Sequence, residues 1–149
     1  MKRTMQRMKI YLAEDDQDDV DIFKEALQAV CPGCELTVSK NGKDILKKLT
    51  DGDSDFPDLM FLDVNMPVMN GLDCLKNLKE LPLLKNIPVI ILTTSAAQLT
   101  IEVAYRLGAR LFVEKPTNME HLVKMLGTVL CADWDAHTCP VDMKKFVYR

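Results

Sequence analysis

No apolar run in this sequence approaches the roughly 20 residues a helix needs to cross a bilayer. A secretory leader is lacking too. The start, Met1 to Arg7, is basic, but Ile10-Tyr11-Leu12-Ala13 stops at Glu14, too short for its apolar core. A cytoplasmic protein is therefore expected. There is no excess of positive charge: the formal net charge is −3, which argues against a general nucleic-acid or membrane surface. Cysteines are few and odd in number, five, so a secreted disulfide scaffold is not indicated. Cys31-Pro32-Gly33-Cys34 has the spacing of a redox pair or half a zinc site. The other half would have to come from Cys131, His137 and Cys139 at irregular spacing, so ordinary cysteines at a helix-ending turn are expected. Internal repeats and low-complexity segments are absent, and 149 residues suit one domain with a sizeable core.

What is present is an alternation of short apolar runs with helical periodicity. Lys9 to Ala13 reads as a strand, and Val20, Phe23, Ala26, Leu27 and Val30 recur at helical spacing behind it. Asp18 and Asp19 stand where acids complement a helix dipole and can cap. Leu36-Thr37-Val38 is a brief second strand, and Ile45, Leu46 and Leu49 mark a second helix. Leu59 to Leu62 is a buried third strand ending on Asp63; the loop after it closes at Gly71, where a third helix opens. Pro88 to Leu92 is a β-branched fourth strand, followed by a helix over about Ala96 to Leu107. Leu111-Phe112-Val113 is the fifth strand, and Met119 to Leu130 the fifth helix. Such alternation means βαβ crossovers and a parallel sheet covered by helices on both faces.

In open parallel sheets, ligands bind beyond the carboxyl ends of the strands. Those ends carry Glu14, Asp15 and Asp16 on the first strand, Asp63 on the third, Thr93 on the fourth and Lys115 on the fifth. With strand order 2-1-3-4-5 the first, third and fourth strands are neighbours. Carboxylates converging there repel by about 4 kcal/mol per pair at ~4 Å and an effective dielectric of ~20. The cluster needs a cation. Oxygen ligands without His or Cys suit a hard ion, and Mg²⁺ fits best when a phosphate completes its shell. A metal, a lysine and a hydroxyl around one carboxylate make a phosphoryl-transfer site with Asp63 as nucleophile.

Glu14-Asp15-Asp16, Asp63-Val64-Asn65-Met66-Pro67 with Gly71, Thr93 and Lys115-Pro116 stand in order at these strand ends. On these residues the chain resembles a response-regulator receiver domain over about residues 8–130. An extension, residues 1–7, would precede it and a tail of mixed character, residues 131–149, would follow, with Trp134, Phe146 and Tyr148 as candidate anchors. The resemblance implies a flavodoxin-like, doubly wound, five-stranded parallel sheet with five helices. It implies that Asp63 accepts a phosphoryl group from a histidine kinase or histidine phosphotransfer protein in a two-component phosphorelay. Asp15 and Asp63 would hold Mg²⁺ directly, Asn65 through its backbone carbonyl and Glu14 through water. Thr93 would close on the phosphoryl oxygen and Lys115 would pair with it, with Lys115-Pro116 a cis peptide. Phe112 would be the switch aromatic, and Asn65 and Ser95 occupy positions that tune phosphoaspartate lifetime. Two features depart from the commoner pattern: Thr94 follows the switch threonine where Ala is frequent, and the aromatic is Phe112, without a tyrosine's hydroxyl. The expected output is protein contact rather than catalysis or nucleic-acid binding. A homodimer through the fourth helix, fifth strand and fifth helix is one such contact.

Other readings meet specific obstacles. A haloacid-dehalogenase-type phosphatase, the alternative enzyme, needs an acid two residues after the nucleophile, where this chain has Asn65. A flavin carrier needs a glycine- and hydroxyl-rich phosphate loop after the first strand, where this chain has carboxylates. A phosphorylation-independent adaptor would not require the intact pocket. His121, early in the fifth helix, reads as a surface residue, and Asp16 as partly a solvated loop residue.

Overall fold

A computed structural model describes residues 7–51, 56–132 and 143–148. The elements follow in order: β1 (Lys9–Ala13), α1 (Gln17–Val30), β2 (Glu35–Ser39), α2 (Gly42–Asp51), β3 (Leu59–Leu62) and α3 (Gly71–Glu80). Then come β4 (Val89–Thr93), α4 (Gln98–Arg106), β5 (Leu111–Glu114), α5 (Met119–Cys131), α6 (Met143–Phe146) and β6 (Val147–Tyr148). Trp134, His137 and Cys139 lie outside the described residues.

All pairings are parallel, and the sheet order is β2-β1-β3-β4-β5-β6. The expected order 2-1-3-4-5 is present, but the sheet has six strands, not five. Val147 and Tyr148 pair with Phe112 and Val113 and extend the sheet past β5. Two residues after a four-residue helix are too short to show periodicity, which is why the sequence hid this strand.

Strand side chains alternate between two cores. Ile10, Leu12, Leu59, Phe61, Ile90 and Leu92 meet Phe23, Leu27, Leu122, Met125 and Leu126 of α1 and α5. Met60, Leu62, Val89, Ile91 and Phe112 point the other way, towards α2, α3 and α4. This period of two, apolar on both phases, makes β3 and β4 continuous apolar runs. Phe23 meets Phe61 edge to face at 5.2 Å, which fixes α1 over the sheet centre.

Phe146 is fully buried beside β5, its ring 5.1 Å from Tyr105 and 6.3 Å from Phe112. The C-terminal segment is thus part of the core on the α4 side. At the other end of α1, Cys31 and Cys34 form a disulfide. The expectation of ordinary cysteines is corrected here: the two-residue spacer folds back on the helix end and brings the Cα atoms to 5.5 Å.

Candidate phosphoryl-transfer site

The loops at the carboxyl ends of β1, β3, β4 and β5 build the site. Asp63 leaves β3 with its N–H donating to the Ala13 carbonyl at 3.0 Å, so its backbone is tied to the end of β1. Gly71 fixes it from the other side. A Cβ added at Gly71 would lie 2.1 Å from the Asp63 carbonyl oxygen, so only glycine allows α3 to start this close. The Gly71 N–H donates to the Val64 carbonyl at 3.0 Å, and Asn70 caps α3 by accepting from the Asp73 N–H. Between them Val68 is held at φ 66°, a costly conformation for a β-branched residue, at the exposed tip of the loop.

Lys115, at the end of β5, reaches across 52 residues of sequence to Asp63. Its ammonium donates to Asp63 Oδ2 at 3.0 Å and to Asp19 Oδ2 at 2.9 Å, and it is ion-paired with Glu14 Oε1. Asp63 Oδ1 accepts the Asn65 N–H at 3.2 Å. Glu14 and Asp63 are buried, while Asp15 is exposed. One ligand atom from each of Glu14, Asp15 and Asp63 lies within 4.8 Å of the others. This oxygen-only set, without histidine or thiol, fits a hard divalent cation.

Electrostatics follow from three carboxylates competing for one ammonium in a poorly solvated corner. Burial raises the Glu14 carboxyl to about 7; the Asp63 charge adds to the rise, and the bond to Lys115 only partly offsets it. Burial would depress the Lys115 ammonium, but hydrogen bonds to Glu14, Asp19 and Asp63 outweigh that and raise it. The lysine is therefore a fixed charge at any physiological pH.

Thr93 is fully buried at the end of β4, and its Oγ1 accepts the Ser95 N–H at 3.3 Å. Thr94 is exposed, so the neighbouring hydroxyls occupy different environments. The Asn65 amide donates to Ser95 Oγ at 2.5 Å and bridges the loops after β3 and β4. Phe112 is fully buried, with Phe146 against its ring. His121 is exposed. Beside Lys115 an open cleft of about 470 Å³ runs between α1 and the β5–α5 loop, floored by Ile22, Phe23, Met119 and Leu122.

Sequence reasoning missed Asp19. It placed Asp19 as a dipole-complementing or capping acid, but the cap of α1 is Asp16, whose side chain accepts from the N–H groups of Asp18 and Asp19. Asp16 is an exposed loop residue, as expected, and caps the helix as well. Asp19 instead turns towards Lys115, 96 residues away. Its place in the first turn of the helix that follows directly on the acid-bearing end of β1 was the available signal.

Comparison with known proteins agrees with this geometry. The family profile described as response regulator receiver domain matches residues 10–127. The chain is 31% identical over 121 residues to the response regulator Rcp1 of Synechocystis sp., spanning 78% of this chain and 82% of that protein. It is 34% identical over 122 residues to the transcriptional regulatory protein CpxR of Klebsiella pneumoniae, covering 82% of this chain but only 49% of CpxR. The chain thus spans about half the length of that relative. Among solved structures, the phosphorylated cyanobacterial phytochrome response regulator RcpA is similar with a TM-score of 0.79 at 28% identity. That match covers 91% of this chain and 99% of RcpA. The Mn²⁺-bound form of Rcp1 is similar with a TM-score of 0.76 at 29% identity, over 90% and 99% of the two chains.

Proposed function

The chain belongs to the response regulator receiver family, and from that premise we propose that Asp63 is its phosphoacceptor, charged from a histidine kinase or phosphotransfer protein. The reading rests above all on the Lys115 ammonium lying 3.0 Å from Asp63 Oδ2 inside a nest of acids. An Asp63 oxygen attacks phosphorus in line; the bond from phosphorus to the donor's imidazole nitrogen breaks, and its electron pair stays on that nitrogen. Asp15, Asp63 and the Asn65 carbonyl, with Glu14 through water, would hold Mg²⁺, which would supply positive charge opposite the phosphoryl oxygens. Lys115 already faces Asp63 and transfers a hydrogen bond from carboxylate to phosphoryl oxygen. Thr93 gives up the contact with the Ser95 N–H and turns its hydroxyl to the same group. Phe112, a β5 residue whose side chain lies in the core on the α4 side, reports that movement to the α4–β5–α5 face by a population shift.

The protein acts as a signalling module in the cytoplasm rather than as an enzyme, with output through protein contact; a homodimer through α4, β5 and α5 would have to include β6 and Phe146, which cover the outer edge of β5. The apolar cleft beside Lys115 suits a protein donor that brings its histidine to Asp63. Among the described residues no helix is long and apolar enough to cross a membrane. The phosphatase alternative gains no support: Asn65 carries an amide, already bonded to Ser95, where that chemistry needs an acid.

Intact-mass measurement after incubation with acetyl phosphate and Mg²⁺ tests the proposal. The wild type should gain one base-labile adduct of ~80 Da, the mass of a phosphoryl group. Asp63→Asn should gain none, and omission of Mg²⁺ should suppress the adduct. An adduct that survives Asp63→Asn would remove Asp63 from its role.

A further inference from the structure

The Cys31-Pro32-Gly33-Cys34 turn takes no part in the phosphoryl site. It lies at the far end of α1 from Asp16 and Asp19, about 20 Å away along a helix of 14 residues. The two sulfurs are bonded, yet their surroundings differ sharply. Cys31 is 2% exposed and packs in the α1–α5 core, whereas Cys34 is half-buried behind the exposed Pro32 and Gly33. Cys34 is the more exposed residue of the pair, although it too packs against that core. Cys74, by contrast, is fully buried and its thiol is pushed up to about 12 by burial alone, so it is inert.

Helix polarity decides which state of the pair is favoured. Cys31 is the C-cap of α1, at the negative end of the helix dipole, and its N–H donates to the Leu27 carbonyl at 2.7 Å. Dithiols that act as strong oxidants have a thiolate stabilised at a helix N-terminus, which favours the reduced form. This pair stands at the opposite pole, where a thiolate gains no such stabilisation, so the balance between the two states is shifted towards the disulfide. The bond also has a mechanical consequence. The Cys34 N–H donates to the Cys31 carbonyl at 3.1 Å, and the next residue, Glu35, opens β2 by donating to Met8. Closing the ring clamps the reversal between α1 and β2.

We infer that Cys31 and Cys34 form a reversible thiol–disulfide couple, exchanged by low-molecular-weight thiols and disulfides such as glutathione, whose state sets how firmly α1 is clamped to β2. In oxidation, the Cys34 thiolate attacks a sulfur of the small disulfide and releases one small thiolate. Cys31 then displaces the second, forming the Cys31–Cys34 bond. Two electrons and two protons pass from the cysteine pair to the small disulfide, which becomes two thiols. Reduction runs the same steps backwards.

The test equilibrates the full chain across a series of reduced-to-oxidised glutathione ratios. Acid quenching, alkylation under denaturing conditions and peptide mapping follow. The peptide carrying residues 31–34 should pass from no alkyl groups to two along a two-electron curve, with Cys74 alkylated throughout. The oxidised form should melt ~5 °C above the reduced form, as expected for a short covalent ring, and this difference should vanish in Cys34→Ser. Full alkylation of the pair at every ratio overturns the proposal, as does a Cys34–glutathione adduct that never resolves. A bond that survives excess dithiothreitol in the folded protein overturns its reversibility, and identical melting of the two forms overturns the clamp. The peptide readout uses wild-type protein alone, so it stands even if Cys34→Ser fails to fold.

Discussion

Two corners of the molecule use β5 in opposite ways. At the carboxyl end of β5, Lys115 holds Glu14, Asp19 and Asp63 together, groups that repel one another and resist burial. Along its edge, Phe112 packs against Phe146 and, through it, Tyr105, with no charge involved. The first corner is arranged for chemistry at some cost in stability; the second contributes stability and carries no reactive group. A folded protein holds a charge cluster of this kind because the surrounding apolar packing supplies what the cluster withholds.

Breaking each corner should therefore have opposite consequences. The largest effect is expected for Asp63→Asn, which should abolish the acetyl-phosphate adduct while changing metal-free stability by no more than ~1 kcal/mol, since the relieved repulsion with Glu14 and the lost ion pair with Lys115 oppose each other. Parallel mass and urea-unfolding measurements check both halves, and a large loss of stability would contradict the comparison. Phe146→Ala should do the reverse. It should cost about 3 to 5 kcal/mol in urea unfolding through the cavity left against Phe112 and Tyr105, yet the surviving folded fraction should still form the adduct.

The pH response sharpens the contrast. The Glu14 carboxyl sits near 7 in the folded chain and at an ordinary 4.5 unfolded, so between those values the folded state binds the extra proton. Metal-free stability should fall as pH rises through that window, by up to about 3 kcal/mol. Mg²⁺ should flatten the dependence by supplying the missing positive charge. Urea titrations at pH 5 and pH 8, with chelator and with Mg²⁺, read this directly. The smallest effect is expected for Asp16→Ala, which removes the N-cap of α1 and should cost ~1 kcal/mol. It should also slow adduct formation modestly, because α1 holds Asp19 against Lys115.

The charged corner was the legible one. Its residues stand at the ends of apolar strands, and an acid after Leu62 or a lysine before Pro116 has no packing reason to be there. The parallel sheet was legible for the same reason, since Leu59–Leu62 and Val89–Leu92 are apolar on both phases. The aromatic corner was legible only in part: Phe146 and Tyr148 stand out as candidate anchors of the tail, but not what they anchor to. Phe146 lies in a stretch without periodicity, and what buries it comes from Tyr105 and Phe112, far away in sequence. Asp19 escaped because an acid in a first helical turn already has a sufficient local explanation. The disulfide escaped because two cysteines at a turn reveal nothing of whether their Cβ vectors converge.

The contact between Gly71 and the Asp63 carbonyl constrains what can move. No side chain fits between them, so the nucleophile's backbone and the start of α3 travel as one body. If Asp63 is the phosphoacceptor proposed above, a displacement starting there would be taken up on the opposite flank. There α4 begins at Ala97 without any side-chain cap, and Leu99 lies exposed to solvent. On the proposed reading, a rigid α3 flank would leave the uncapped start of α4 as the side free to respond.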